Sequence, residues 1–416
     1  MRKLLGQLKE QRANHKERHR KTGFEFALAD RIGLLSADGW DSVTADSSLF
    51  LRREVLEAIE TAGPREISPR YALIAENGKP VAAVAAQMVS VGGGKLVRQK
   101  PGDGAAERRS LKQKTTEALK SLGKKGATAM KARVLVGGNL LAWGNHGIAL
   151  APGEDAARLW PAIAEAVYRI RAAEGLFEQT DYVLIKDIPA PHRPASEALK
   201  RFGYRAVETD PDMILEIPAA WRGYDDYLGS LNSRYRKSAK GIFTDADAAG
   251  LTAESLTDCG GLEQRLHELY MNVHGKAAVR PVTAPESYLP ALARALGSDG
   301  FRCTVLRRGG EVAGFVTTLK DGDTAIGYYI GVDYAVNEQA PVYLRLLHAT
   351  VADAISLGCR RLSLGRTALE PKARLGAKPL PLSVWVRHRV SLMNWALAPL
   401  LGAIPHDEAP ERSVMK

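Results

Sequence analysis

Side chains able to carry out acyl transfer gather in the last third of the chain. Tyr328 and Tyr329 sit in the apolar run "IGYYIGV", Asp333 and Glu338 occupy the loop that follows, and Arg345 and His348 lie three apart on a predicted helix. A second apolar run ends at Arg366, and Arg366, Lys372 and Arg374 fall within nine positions. Acyl transfer to an amine needs a donor carbonyl, a base for the amine and groups that meet the developing oxyanion. Tyr328 and Tyr329 alternate faces on a predicted strand, so one of the two rings, Tyr328 as the candidate, is expected to face a cleft and there donate to a leaving group or orient substrate. Asp333 or Glu338 could take a proton from the amine or fix it. Arg366, Lys372, Arg374 and Arg345 suit a phosphate-bearing donor. Plain structural roles compete at each position: rings filling a sheet, turn chemistry at Asp333, helix-terminal charge at Glu338 and solvated cations elsewhere. His348 and Cys359 read as packing residues, and no Gly-x-Ser-x-Gly nucleophile elbow is present.

Positioning these groups falls to a repeated set of elements. "YALIAENGKPVAAVAAQMVSV" from Tyr71 and "CTVLRRGGEVAGFVTTLKDG" from Cys303 each read as a β-hairpin, turning at Asn77-Gly78 and Gly309-Gly310. Those dipeptides supply the positive φ angles that two-residue hairpin turns demand. An amphipathic helix precedes each hairpin, capped at Ser47 or Ser48 in the first copy and with Pro285 near its first turn in the second. Downstream, "DAARLWPAIAEAVYRIRAAEG" leads to the strand "TDYVLIKDI", and "APVYLRLLHATVADAISLG" leads to "RRLSLGR". In the latter helix Leu344, Leu347, Val351 and Ile355 form the expected packing stripe. The chain thus reads as two copies of helix, hairpin, helix, strand, joined near Pro218.

A length of 416 residues suits two domains. Cys259, Cys303 and Cys359 are too few and scattered for a disulfide framework, and no Cys/His cluster points to a metal, so a reducing cytoplasm is expected. No secretory signal or membrane-spanning run appears. The net charge of +11 is concentrated. Residues 1–21 carry eight Lys/Arg against two Glu, and residues 95–133 carry twelve against three acids, leaving the rest at −4. Such basic segments attract polyanions, RNA or acidic headgroups, or act as solvated tails.

The order of strands and helices resembles the GNAT N-acetyltransferase fold, and the duplication resembles the tandem-GNAT, FemAB-like or BioF2-like branch. Three stretches carry the resemblance: "YDDYLGSLNSRYRKSAKGIF", the run from Tyr328 through Asp333 to Pro341, and "LGRTALEPKARLG". It covers residues 220–378, the first half matching by architecture alone. The resemblance implies an α/β fold of two GNAT-like domains, each a mixed sheet flanked by helices. It also implies acyl or aminoacyl transfer from acyl-CoA or aminoacyl-tRNA, with no tightly bound cofactor, and places Lys372 and Arg374 beside the donor. One departure stands out. The glycine loop that cradles the CoA pyrophosphate in typical members is replaced by "DYAVNEQAPVYL", which has no glycine.

The expected organisation is a basic extension over 1–30, a first domain over 31–218 with an insertion at 95–133, a second over 219–380, and a C-terminal amphipathic helix and tail over 381–416. That helix, "SVWVRHRVSLMNWALAPLLGAIP", could close the core or lie in a membrane interface. Arg234, Arg236, Lys237 and Lys240 form a basic helix face for RNA or other phosphates. The expected acceptor is an amine on a small molecule or cell-envelope precursor. A non-catalytic RNA-binding or membrane-associated adaptor is the alternative.

Overall fold

The computed structural model describes residues 21–92, 131–277, 282–390, 393–394, 410 and 412–416. The expectations for residues 1–20 and for 95–130 lie outside the described residues.

A single plan of strands occurs twice. The first half supplies β1 (Glu25–Ala29), β2 (Ile67–Glu76), β3 (Lys79–Gly92), β4 (Lys131–Gly137), β5 (Ile148–Leu150), β6 (Tyr182–Pro189) and β7 (Arg205–Glu216). The second supplies β8 (Leu251–Leu256), β9 (Phe301–Arg308), β10 (Glu311–Asp321), β11 (Thr324–Val332), β12 (Arg361–Ser363) and β13 (Lys378–His388). The main helices are α1 (Ala37–Thr44), α2 (Arg53–Ala62), α3 (Ala156–Glu174), α4 (Tyr224–Ser230), α5 (Ser233–Ala248), α6 (Glu263–His274), α7 (Tyr288–Gly300), α8 (Val342–Ser356) and α9 (Leu369–Arg374).

All strands join one sheet in the order β1-β2-β3-β4-β6-β13-β7-β12-β11-β10-β9-β8, with β5 paired to β3 off that path. The order is a palindrome of counterparts: β1 answers β8, β2 answers β9, and so on to β7 and β13 at the middle. The two last strands are exchanged. β13 lies between β6 and β7 of the first half, and β7 lies between β13 and β12 of the second. The two hairpins turn as the sequence requires, with Asn77, Gly78, Gly309 and Gly310 all at positive φ.

Two domain boundaries are corrected. The stretch 1–30 is not wholly an appendage, since Glu25–Ala29 pairs antiparallel with β2. The segment from 381 opens not as a helix but as the second part of β13. Val384, Trp385 and Val386 are strong strand formers, and two waiting strand edges accept them. Trp385 is fully buried and donates its indole N–H to Ser196 Oγ at 2.9 Å.

Both halves share a core. Val55 and Ile59 of α2, Leu289 and Leu292 of α7, Val134 and Val136 of β4, and Phe315 and Ile326 pack in one cluster. α8 is buried on two sides, with Leu346, Leu347, Val351 and Ile355 all inside, whereas Leu344, expected in the packing stripe, is 37% exposed.

Candidate active site

A β-bulge sets the direction of the two tyrosines. Val316 pairs with Ile330 and Thr318 with Gly327, so Thr317 alone faces both Tyr328 and Tyr329. Thr317 Oγ1 accepts from the Tyr329 N–H at 3.0 Å. Adjacent residues on a regular strand point to opposite faces, and the extra residue cancels that alternation. The rings therefore stack, 4.2 Å apart and 5° from parallel. This replaces the expected arrangement, in which one ring alone would face a cleft.

What the tyrosines meet is a loop of the first half. Residues 138–147, "GNLLAWGNHG", leave the end of β4 and return to β5. The neck is tight: Gly138 sits at φ 139°, and a Cβ on Gly147 would strike the Gly138 backbone. Ala85 on β3 pins both sides, accepting from Gly138 N at 3.0 Å and donating to Gly147 O at 2.8 Å. From that neck the loop reaches across to the second half. Leu141 O accepts from the hydroxyls of Tyr328 at 2.8 Å and Tyr329 at 3.2 Å. Trp143 donates to Ser363 Oγ at 2.7 Å, and Ser363 in turn donates to Asp212 at 2.6 Å. Asp187, fully buried and at φ 55°, accepts from Gly144 N, Lys186 Nζ and Arg366 Nη2. The sequence carries a signal for this loop, a tryptophan and four glycines between a strand and a helix, which matches no catalytic motif.

Beneath this loop, where β7, β12 and β13 meet, lies a cavity of about 1220 Å³ lined by both halves. Its wall carries the acids Asp46, Asp212, Glu216, Asp321 and Asp323 against the cations Arg361 and Lys378. Arg361 is already paired with Asp323 at 2.9 Å. Trp143, Trp160 and Trp221 supply apolar surface. Asp212 is 6% exposed, and burial raises its pKa against the pull of its hydrogen bonds from Ser363 and Gly365 and of the charges on Lys372 and Arg366. Lys372 is 5% exposed beside it, where burial pushes its pKa down to about 8. Both shifts favour the uncharged forms, as desolvation dictates. Neither Tyr328 nor Lys372 lines the cavity: the Tyr328 ring lies 6.2 Å from that of Trp143, and Lys372 feels the charge of Asp212, while Trp143, Ser363 and Asp212 themselves line it.

Other expected site residues are engaged differently. Tyr328 is 4% exposed, bonded to the Tyr288 hydroxyl at 2.9 Å as well as to Leu141 O, so in this conformation its hydroxyl is used up in packing. Asp333 accepts from Ala335 N and Val336 N and pairs with Arg265 at 2.9 Å, which is turn chemistry. Glu338 is exposed in the same loop, away from the cavity lining. Arg345 lies over the Phe243 ring at 4.1 Å, and His348 is buried against Tyr224 with Nδ1 at 2.8 Å from its hydroxyl. Arg366 is held by Asp187 and Thr209, with Nε buried and without a partner. Arg374 is 62% exposed and paired with Glu370. On α5, Arg234, Lys237 and Lys240 are exposed and Arg236 is half-buried. Two of the first amides of α8 are engaged by the loop without glycine: Asn337 Oδ1 accepts from Tyr343 N at 2.9 Å, and Ala340 O accepts from Val342 N.

Residues 233–373 match the family described as an acetyltransferase (GNAT) domain. Among solved structures, that of FemX is similar with a TM-score of 0.52 at 11% identity, covering 88% of this chain and 97% of that one. A tandem GNAT protein from the clavulanic acid biosynthesis pathway (TM-score 0.49, 11% identity, 88% and 98% covered) and L-PGS from Bacillus licheniformis (0.45, 11%, 84% and 96%) are also similar. At these identities the likeness is one of fold. No curated protein matches the chain. Among the described residues no helix is long and apolar enough to cross a membrane.

Proposed function

We propose that this chain, a tandem GNAT fold whose second half carries an acetyltransferase domain over residues 233–373, is an acyltransferase forming an amide on a cationic amine. The observation that carries the reading is the charge of the central cavity, five acids against two cations. An ammonium group is drawn into such a space and an anion is repelled. Asp212 is the group placed at the amine. It lines the cavity, and its raised pKa suits a base that takes a proton as nitrogen attacks. Lys372, next to it, is placed at the donor side.

The donor is a co-substrate, an acyl-CoA thioester or an aminoacyl-tRNA, and no resident cofactor enters the reading. With two of the first amides of α8 engaged by the loop, the donor phosphates are assigned to the exposed cations of α5, Arg234, Lys237 and Lys240. An amine-bearing cell-envelope precursor met at the inner membrane face fits the cavity's charge. The three free, buried cysteines fit a reducing cytoplasm.

The test is transfer from labelled acyl-CoA, and separately from charged tRNA, to a panel of cationic amines and neutral isosteres. Cationic acceptors should be converted at least ~10-fold faster, about 1.4 kcal/mol of discrimination. Equal rates across the panel would remove the basis for the reading. The engaged amides of α8 favour a second reading, a non-catalytic RNA-binding or membrane-associated adaptor. Protein that holds RNA releasable by high salt and transfers no acyl group would establish that instead.

A further inference from the structure

In the same cavity as Asp212 stands a serine in hydrogen-bond contact with an imidazole. Ser48 Oγ lies 2.6 Å from His146 Nδ1, and Ser48, His146 and Asp321 all line the cavity. In the tautomer that carries its proton on Nε2, the ring presents an unprotonated Nδ1 to the Ser48 hydroxyl. Phe50, packed 4.7 Å from the imidazole, fixes the ring, and the Phe50 N–H donates to Ser48 Oγ at 3.2 Å. Asp321 of the second half accepts from the Leu49 N–H at 2.6 Å and is a second acceptor for the Ser48 hydroxyl, whose Oγ donates to Oδ2 at 3.2 Å. Two further polar atoms in this wall are buried without partners, Ser47 Oγ and Asn145 Oδ1. Buried orphan polar atoms are uncommon in folded proteins, and a pair beside a serine–imidazole contact marks a place built for a polar ligand.

We infer that Ser48 is an acyl-accepting nucleophile, with His146 its base and the Ser47 hydroxyl the donor available to the oxyanion. The step balances without any other reactant. Ser48 Oγ attacks the carbonyl carbon of an activated ester or thioester while its proton moves to His146 Nδ1. The bond from carbonyl carbon to the leaving oxygen or sulfur breaks, and the proton leaves with that atom as alcohol or thiol. The acyl group is left as an ester on Ser48. An ammonium in the acidic cavity gives one proton to Asp212 and attacks that ester as the amine; its second nitrogen proton passes to His146 and on to Ser48 Oγ as the amide departs. This second half of the cycle rests on the function proposed above; the first half does not. His146 is suited to the base role by its position, 2.6 Å from Ser48 Oγ, and burial, which holds its pKa down to about 4, keeps the ring neutral at physiological pH.

The experiment uses the full chain and p-nitrophenyl acetate as donor, following nitrophenolate release and mapping the adduct by peptide mass spectrometry. The expected result is a burst of one equivalent per chain with acetyl on Ser48. Ser48→Ala should abolish the burst, and His146→Gln should slow it by ~10²-fold or more. Ser48→Cys serves as the control for folding and should still take one acetyl group. No burst, or acetyl found elsewhere with Ser48 unmodified, overturns the inference. Amide formation by Ser48→Ala at the wild-type rate also overturns it while leaving acyl transfer standing. Acetylation of Ser48 with no amide from any acceptor confirms the nucleophile and removes the proposed function instead.

Discussion

Trp143 and Ser363 sit 220 positions apart in the chain and 2.7 Å apart in space, indole N–H to hydroxyl oxygen. Through that bond a loop of the first half reaches a strand of the second half, whose Ser363 in turn donates to the buried carboxylate of Asp212 on β7. Trp143→Phe keeps an aromatic ring and removes the donor. We expect a loss of about 1 kcal/mol in urea unfolding, the ordinary worth of one hydrogen bond, and a weaker KM for cationic acceptors. A variant with unchanged KM would detach this loop from the acceptor site.

Asp212 accepts from Ser363 and from Gly365 N at 2.9 Å. Asp212→Asn retains an acceptor for the amide and discards the charge and the base. The expected outcome is a kcat lowered by ~10²-fold or more, with the fold intact by circular dichroism. Neutral acceptors should lose less than cationic ones. If both classes lose equally, the charge of the wall is not what selects the amine.

The exchange of β7 and β13 makes each half's sheet incomplete without the other. Residues 21–218 and 219–416 produced separately should be aggregated or unfolded, and produced together they should associate. Cooperative folding of either piece alone, seen as a single denaturant transition, would contradict the exchange.

Stability should fall as the solution is acidified below pH 6.5. Burial, assisted by Arg345, holds His348 down to about 4, against an unfolded value of 6.5. A lowered folded pKa gives stability that is present above the unfolded value and lost as pH drops toward the folded one. His146 behaves in the same sense. Asp353, raised to about 6 by burial, acts oppositely, because the folded state takes its proton first and offsets part of the loss as pH falls from about 6 to 3.8. His348→Gln, which leaves Tyr224 a polar partner, should flatten the slope of the melting midpoint between pH 6.5 and 4. A wild-type slope in that variant would show that His348 titrates normally.

Local chemistry was legible in the sequence and non-local pairing was not. Asn77-Gly78 and Gly309-Gly310 announced both hairpins because a type I′ turn needs positive φ at both central residues, whatever the rest of the chain does. The duplication followed from those hairpins and their helices. The exchange of β7 and β13 could not be read, since nothing in "VWV" names which strand edge will take it. The bulge at Tyr328 and Tyr329 was equally hidden, for it depends on a two-against-one register with Thr317. Asp333 has the turn role that an aspartate at the start of such a loop favours, accepting from Ala335 N and Val336 N. The residues that build the cavity come from segments far apart, Ser48 and His146 from one half and Asp212, Asp321 and Ser363 spread over both. Periodicity, which sees only neighbours, has no access to such an arrangement.

The most direct test places a large side chain in the cavity. Ile214, half-buried on β7 and part of the lining, can be replaced by tryptophan, and amide formation on a cationic amine measured from both acyl-CoA and charged tRNA. The account predicts that the wild-type chain acylates the amine from one of these donors and that Ile214→Trp, still folded, loses that activity. Undiminished transfer by the blocked variant would contradict it.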